Sequence, residues 1–345
     1  SQNYLPTEAE RYLKYLKKEI DFYKRKFVLK PQTIYFGGGT PSLLTIKQLE
    51  SLVSEFEFDA NTEITIEVNP GTVNKDYISQ LSKMGINRVG IGAESFINKE
   101  LKVLGRIHSV KQIEACFNSF LKYGISNISL DLIYGLPFQK KEDLYFSLHK
   151  IAEFSPKHIS TYCLSLEMDV PLFKLKKHIP SDETLSEFYF EIIGYLKKNR
   201  YQHYEISSFS EINYHSRHNL AYWDYKSFLG VGAGAAGFIN NSHYRNPNSL
   251  KEYYRLLDKE EIAINFVPAN QNELISEFIF LSLRKTEGLN SKNFRKRFNQ
   301  RFEKKYSNIL NSFIDSGYME KKNDFYKLTP KAYFISDYIF SEFMN

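Results

Sequence analysis

Cysteine is nearly absent. Cys116 and Cys163 are the only two in 345 residues, which excludes a disulfide framework and points to a reducing, cytoplasmic setting. One falls in a predicted helix and one in a predicted strand, and both read as small buried residues rather than metal ligands. Long apolar runs are missing too. None approaches the roughly 20 residues that span a bilayer, and the opening segment is charged and helical rather than a secretory leader. Nor does one sign of charge dominate: 46 basic against 40 acidic residues leave +6. The densest basic stretch, Arg284 to Lys305 with Arg295-Lys296-Arg297 and Arg301, reads as a solvated face, so nucleic acid is not an expected partner. Bulk is abundant instead. Apolar residues make up 42% and aromatics 16%, with 28 Phe and 25 Tyr, enough to bury a core and exclude a disordered chain. The length fits a large α/β domain followed by a smaller one.

From Glu8 to Lys26, Tyr12, Leu13, Leu16, Ile20, Phe22 and Tyr23 share one helical face with lysines opposite. A strand–loop–helix pattern then recurs. Strands are predicted at Thr33–Phe36, Glu63–Val68, Arg88–Ile91, Ile128–Ile133 and His158–Leu164. Helices are predicted at Thr45–Glu55, Lys75–Lys83, Val110–Tyr123 and Lys141–Phe154. Such alternation implies parallel strands in a barrel-like α/β layer, with function at the strand C-terminal ends. From about Ser181 the pattern changes to a helix, Glu183–Lys198, and short strands near Tyr204–Ser207 and Phe238–Tyr244. After Asn270, helices Glu273–Leu283, Ser291–Phe298 and Lys305–Ser316 precede a hairpin from Tyr318–Glu320 and Phe325–Leu328, the order of a winged helix.

The loops after the strands hold the unusual residues. Gly37-Gly38-Gly39-Thr40-Pro41 exposes backbone on which a ligand can lie, although a tight turn has the same composition. Glu67, Glu94 and Asp131 close three other strands, and Arg106, in Leu104-Gly105-Arg106-Ile107-His108, is their expected counter-charge. Singly, each carboxylate reads as a solvated loop residue; together with the glycine loop they suit a polar cofactor bearing an amino group and a ribose. The glycine-alternating run Gly230–Gly237 lacks the strand–turn–helix context of a dinucleotide fingerprint.

The order of these motifs resembles that of radical-SAM proteins related to oxygen-independent coproporphyrinogen III oxidase, and the likeness covers most of the chain. It implies an α/β fold: a partial (β/α)6 TIM-like barrel with a C-terminal α+β winged-helix-like domain. It also implies that Gly38, Gly39 and Thr40 hold the methionyl amino group of S-adenosylmethionine, with Glu67, Arg106, Asp131 and Ser165 at further cofactor positions. The family has glutamine where this sequence has Glu94, so an acceptor-only carboxylate replaces an amide that also donates.

His218-Asn219-Leu220-Ala221-Tyr222-Trp223 is similar to the HNxxYW signature of the HemW-type haem chaperones within that family. An imidazole can ligate haem iron, and Tyr222 and Trp223 can stack on the macrocycle; the same aromatics can also simply pack. The resemblance implies haem as cargo, bound at His218, Asn219, Tyr222 and Trp223 and passed to acceptor haem proteins, which allows peripheral membrane association through an acceptor. The alternatives are an oxygen-independent coproporphyrinogen III oxidase or a clusterless binding module. Cys116 and Cys163 cannot supply the family's CxxxCxxC motif, so no metal is expected in this chain and the cysteines of a four-iron four-sulfur cluster are expected upstream of Ser1. The expected domains are 1–180, a barrel without its first strand and cluster loop; 181–269, an appendage holding the HNxxYW segment; and 270–345, the winged-helix-like part.

Overall fold

The computed structural model describes residues 6–168, 170–262 and 266–344. They form two compact units, one holding the described residues of 32–50 and 59–216, the other holding the rest. The first helix, α1 (Pro6–Lys26), belongs to the second unit.

In the first unit, β1 (Thr33–Phe36), β2 (Glu63–Val68), β3 (Arg88–Glu94), β4 (Ile128–Tyr134) and β5 (His158–Cys163) run parallel in sequence order. The connections carry α2 (Ile46–Val53), α3 (Lys75–Lys83), α4 (Asn98–Val103), α5 (Val110–Lys122) and α6 (Lys141–Phe154). After α7 (Asp182–Lys198), the hairpin β6 (Gln202–Glu205) and β7 (Ser208–Ser210) pairs antiparallel with β5, giving the order β1-β2-β3-β4-β5-β7-β6. β1 to β5 stand within one residue of where alternation placed them, except that β3 runs on to Glu94 through an irregular register, and the short strand expected near Tyr204–Ser207 covers instead the end of β6 and the turn of the β6–β7 hairpin at Ile206–Ser207. The short α4 and a 3-10 segment at Pro171–His178 were not anticipated, because neither is long enough to show a period.

Alternation divides the strand residues into two sets. Ile34, Ile64, Ile66, Val68, Val89, Ile91, Ile128, Leu130, Leu132 and Ile159 are buried. The helices bury Ile78, Leu81, Ile113, Phe117, Phe120, Leu144, Leu148 and Ile151, and α5 packs on β3. The alternate positions are polar. Register aligns Tyr35 with Thr65 and Arg88, then Glu67 with Gly90, Ser129 and His158, then Asp131 with Ser160. A TIM barrel interior is normally filled by branched apolar side chains; here it carries rows of hydrogen-bonding groups.

The second unit adds α8 (Arg217–Trp223), β8 (Ala236–Ile239), β9 (Ser242–Arg245), α9 (Leu250–Asp258) and β10 (Val267–Pro268). The single strand expected across Phe238–Tyr244 is a hairpin, because Asn240 and Asn241 take φ of 51° and 59° and turn the chain. Farther along come α10 (Gln271–Arg284), β11 (Leu289–Asn290), α11 (Ser291–Phe298), α12 (Phe302–Lys305), α13 (Ser307–Asp315), β12 (Met319–Lys322), β13 (Phe325–Leu328) and α14 (Ser336–Glu342). The sheet order β11-β13-β12 with these helices is winged-helix-like, and Arg295, Lys296, Arg297 and Arg301 are exposed on it. No helix among the described residues is long and apolar enough to cross a membrane.

A tyrosine-rich core joins α1 to α9 and β9 through Phe22, Tyr23, Tyr244, Tyr253, Tyr254 and Leu257. Within it lies Glu19, fully buried. Its carboxylate accepts hydrogen bonds from Gly232 N–H (2.8 Å), Asn246 Nδ2 (2.7 Å) and the Tyr253 hydroxyl (2.5 Å), while Ala233 N–H donates to the Tyr12 hydroxyl (3.1 Å). Gly232 needs to be glycine: its φ is +111°, and a Cβ there would lie 2.4 Å from the Tyr12 oxygen. The run from Gly230 is thus a loop pinned to α1.

Burial pushes the Glu19 carboxyl up to about 7, against those three hydrogen bonds. The folded state therefore holds this proton more tightly than the unfolded chain, and the associated stability is complete below about pH 4.5 and lost as pH rises through about 7. Glu19→Gln is expected to flatten that slope in urea unfolding. Glu19→Ala, which takes the acceptor from three donors (the Gly232 N–H, Asn246 Nδ2 and the Tyr253 hydroxyl), is expected to cost about 2–5 kcal/mol. An unchanged midpoint in Glu19→Ala would refute the anchor.

Candidate functional site

The glycine loop leaves β1 at the sheet's C-terminal edge. Gly37, Gly38 and Gly39 are exposed, and a Cβ built on Gly38 or Gly39 meets nothing within 4 Å, so their backbone lies open. Gly38 has φ +92°, which a side chain would strain. The loop sits beside β2: a Cβ on Gly37 would come 3.3 Å from the Glu67 carboxyl carbon, and Asn69 Nδ2 donates to Thr40 Oγ1 at 3.5 Å.

The three carboxylates are close enough to act on one another electrostatically. Their partners differ from the expected shared arginine. Arg106 pairs with Glu94 alone, Nη2 to Oε1 at 2.5 Å. Glu67 accepts the Tyr35 hydroxyl at 2.7 Å, and Asp131 is bonded by Ser160. Glu94 takes φ +66° at the irregular end of β3, and its side chain reaches Arg106. Burial raises the Glu94 carboxyl, opposed by Arg106 and reinforced by Glu67. Asp131 is pushed up to about 7 by burial and by the negative charge of Glu94, with Ser160 lowering it, Glu67 raising it and Arg88 lowering it. A rim with excess negative charge and an open backbone suits a cationic ligand.

Ser165 stands apart. It is exposed after β5 and makes no hydrogen bond to the rim groups among the described residues. His218, Asn219, Tyr222 and Trp223 fall in the other unit, on α8, all half-buried. His218 Nε2 and the Tyr222 hydroxyl are hydrogen-bonded at 3.0 Å, Tyr222 meets Phe228 edge-on, and Arg284 lies 4.5 Å over the Trp223 ring. The Trp223 indole N–H is buried without a hydrogen-bond partner among the described residues.

The donor set fits S-adenosylmethionine: carboxylates for its cationic groups, open glycine backbone, and a guanidinium for its carboxylate. It does not fit a four-iron four-sulfur cluster. Cys116 is buried on α5, and Cys163, expected to be buried, is exposed at the end of β5. No cluster of three His, Cys, Asp or Glu able to hold a metal occurs among the described residues.

Residue-by-residue motif reading missed Tyr35, Arg88, Ser129, His158, Ser160 and Tyr162. The signal was present. Strands of a covered parallel sheet read as continuous apolar runs, whereas Ile128–Asp131 alternates apolar with polar residues and His158 and Ser160 flank Ile159.

Comparison with known proteins identifies the family. The radical SAM superfamily model matches residues 3–151, and the HemN C-terminal domain model matches residues 269–335. Haem chaperone HemW of Lactococcus lactis subsp. lactis (strain IL1403) is 31% identical over 338 residues, covering 96% of this chain and 89% of that protein. The chain belongs to the HemW family. The HemW of Bacillus subtilis (strain 168) is 28% identical over 324 residues, covering 91% of this chain and 86% of its own. Among solved structures, coproporphyrinogen III oxidase (HemN) from Escherichia coli superposes with a TM-score of 0.84 at 23% identity, covering 98% of this chain and 83% of that one. At that identity the HemN likeness establishes a shared fold, while the HemW relatives establish the family.

Because the Asp131 carboxyl is raised, its contribution to stability is present at low pH and lost as pH rises through about 7. The melting temperature of Asp131→Asn relative to the unsubstituted protein is therefore expected to climb between pH 5 and pH 8.5. A difference constant over that range contradicts the raised carboxyl.

Proposed function

We propose that this HemW-family chain is a haem chaperone that binds S-adenosylmethionine at the barrel rim and haem through the α8 segment, and passes haem to acceptor haem proteins. The observation that carries the reading is the match to proteins named haem chaperone HemW along nearly the whole chain. The open glycine backbone beside three carboxylates supports the cofactor half of it.

On this reading the Gly38, Gly39 and Thr40 backbone holds the methionyl ammonium, Glu67, Asp131 and Glu94 line the remaining cationic and hydroxyl-bearing parts, Arg106 meets the carboxylate, and Ser165 joins from the loop after β5. When bound, S-adenosylmethionine supplies a sulfonium, a fixed positive charge. That charge favours ionised Asp131, so cofactor binding and proton release at Asp131 are linked. Arg106 is already held by Glu94, so a ligand carboxylate has to share or displace that ion pair. The family's cluster has no ligand set among the described residues, and nothing in this mechanism runs through it.

Haem is cargo. Its iron needs an imidazole lone pair, and the Nε2 of His218 is engaged by the Tyr222 hydroxyl. Tyr222 therefore guards the ligand position, with Trp223 and Asn219 beside it in sequence. The unit of residues 32–50 and 59–216 serves as the cofactor barrel, and in the other unit 217–269 carries the haem segment and 270–345 a partner-facing winged-helix-like part. The working compartment is the cytoplasm, with peripheral membrane contact through an acceptor and no role for nucleic acid.

Titration with haem, followed at the Soret band, tests the cargo assignment. His218→Ala is expected to weaken binding at least about tenfold by loss of one ligand bond, while Tyr222→Phe, which frees Nε2, retains or tightens it. Wild-type affinity in His218→Ala removes that residue as ligand. In calorimetry, Asp131→Asn is expected to weaken S-adenosylmethionine about tenfold at pH 8, as loss of a facing charge requires; equal affinity breaks the rim assignment. Conversion of coproporphyrinogen to protoporphyrinogen by the protein would favour the oxidase instead.

A further inference from the structure

Behind Asp131, on the same face of the sheet, lies a buried polar line that neither the rim nor the haem segment uses. Ser160 bonds Asp131 and also reaches the Tyr162 hydroxyl. Ser160 Oγ is 3.5 Å from Ser129 Oγ, Ser129 Oγ is 2.8 Å from His158 Nδ1, and His158 Nε2 is 2.8 Å from the Tyr204 hydroxyl. Ser129, His158 and Ser160 are all buried.

The direction of these bonds follows from donor counting. The Tyr204 oxygen accepts from Ser216 N–H at 3.3 Å and is hydrogen-bonded to the Ser208 hydroxyl. Its own proton is left to donate, and His158 Nε2 is the acceptor in reach. Nε2 then carries the lone pair, so the neutral ring holds its proton on Nδ1 and donates to Ser129. Ser129 turns its hydroxyl to Ser160, and Ser160 turns its own to Asp131. Each donor feeds the next, an arrangement in which hydrogen bonds polarise one another.

We propose that His158, held as the neutral Nδ1–H tautomer, drives a one-way chain of donors from Tyr204 through Ser129 and Ser160 onto Asp131, so that His158 and Ser160 are positioning residues that keep Asp131 available as an anion. The proposal rests on Asp131 serving the S-adenosylmethionine rim. Charged and titratable neighbours frame both ends. Around Asp131 stand Glu67, Glu94, Arg88, Tyr35 and Tyr162; around His158 stand Arg88, His215 and Tyr204. Burial, then Arg88 and His215, hold the His158 imidazole well below its ordinary range, which keeps the ring neutral. Arg88 is itself buried, with Nε unpartnered among the described residues, and its field opposes a second positive charge on His158 while favouring the negative one on Asp131.

Nitrogen NMR of the unsubstituted protein reads the tautomer directly: a protonated Nδ1 with a lone pair on Nε2 is expected for His158, and the opposite assignment overturns the proposal. Calorimetry with S-adenosylmethionine at pH 6 and 8.5 then reads the consequence. Ser160→Ala removes the last donor and Tyr204→Phe lets Ser129 turn back toward His158. Both are expected to weaken binding about 3- to 10-fold at pH 6 and less than about 2-fold at pH 8.5, since a rise of half to one unit in the Asp131 pKa matters only below that pKa. Equal losses at both pH values would signify a merely structural role and overturn it. Asp131→Asn separates the two readings: unchanged affinity there breaks the cofactor rim, whereas weakened affinity there with pH-independent effects in Ser160→Ala breaks the donor chain alone.

Discussion

Strand side chains alternate between two faces, and in-register parallel strands line like positions into rows across a sheet. When one face is covered by helices, the other face receives whatever the alternate positions hold. Here those positions hold tyrosine, glutamate, arginine, serine, aspartate and histidine, side by side on five strands. Polar groups withdrawn from water cost free energy unless they bond one another. The rows answer this through lateral pairs between strands: Tyr35 to Glu67, Ser129 to His158, Ser160 to Asp131. The rim acids inherit their properties from that arrangement. Asp131 lies where the polar interior meets the open edge, and its proton affinity is set by burial and by the two carboxylates facing it.

Much of this was legible before any coordinates. Five strands and the long helices between them followed from period and punctuation, because Gly37-Gly38-Gly39 and Asn69-Pro70-Gly71 end strands by backbone chemistry alone. Glu67, Glu94 and Asp131 could be placed at one edge since parallel strands end on the same side. Pairing was less accessible. Arg106 follows β3 by a short helix, and spacing does not say which of the three acids reaches its guanidinium; Glu94, at the end of β3 itself, does. Bonds across strands, such as Ser129 to His158 over 29 residues, depend on register, which sequence spacing does not encode. The hairpin at Asn240–Asn241 is a two-residue turn without glycine, so its reversal depends on both asparagines taking positive φ, which composition alone does not show.

The second unit is stabilised on a different principle. Its tyrosines ring a single carboxylate, and three of the partners bonded to Glu19 come from more than 200 residues farther along the chain. Sequence reading placed Tyr12, Ile20 and Tyr23 on the buried face of α1 but had no cue that Glu19 joins them, since a charged residue beside apolar ones ordinarily marks the edge of a stripe. Conversely, the glycine run at 230–237 looked unusual for a reason unrelated to nucleotides: Gly232 and Gly237 stand where Tyr12 and Tyr244 leave no room for a side chain.

That long separation has a consequence for biosynthesis. A ribosome emits α1 before the barrel strands, and only afterwards the loop and helix that complete the shell around Glu19. At about 5–20 residues per second, the wait from Glu19 to Tyr253 lasts on the order of ten to fifty seconds. Throughout it α1 carries an unshielded greasy stripe and an unmated acid, while β1 to β7 of the barrel unit are completed behind it. The shell around Glu19 therefore cannot close against water until residues more than 200 positions later have left the ribosome.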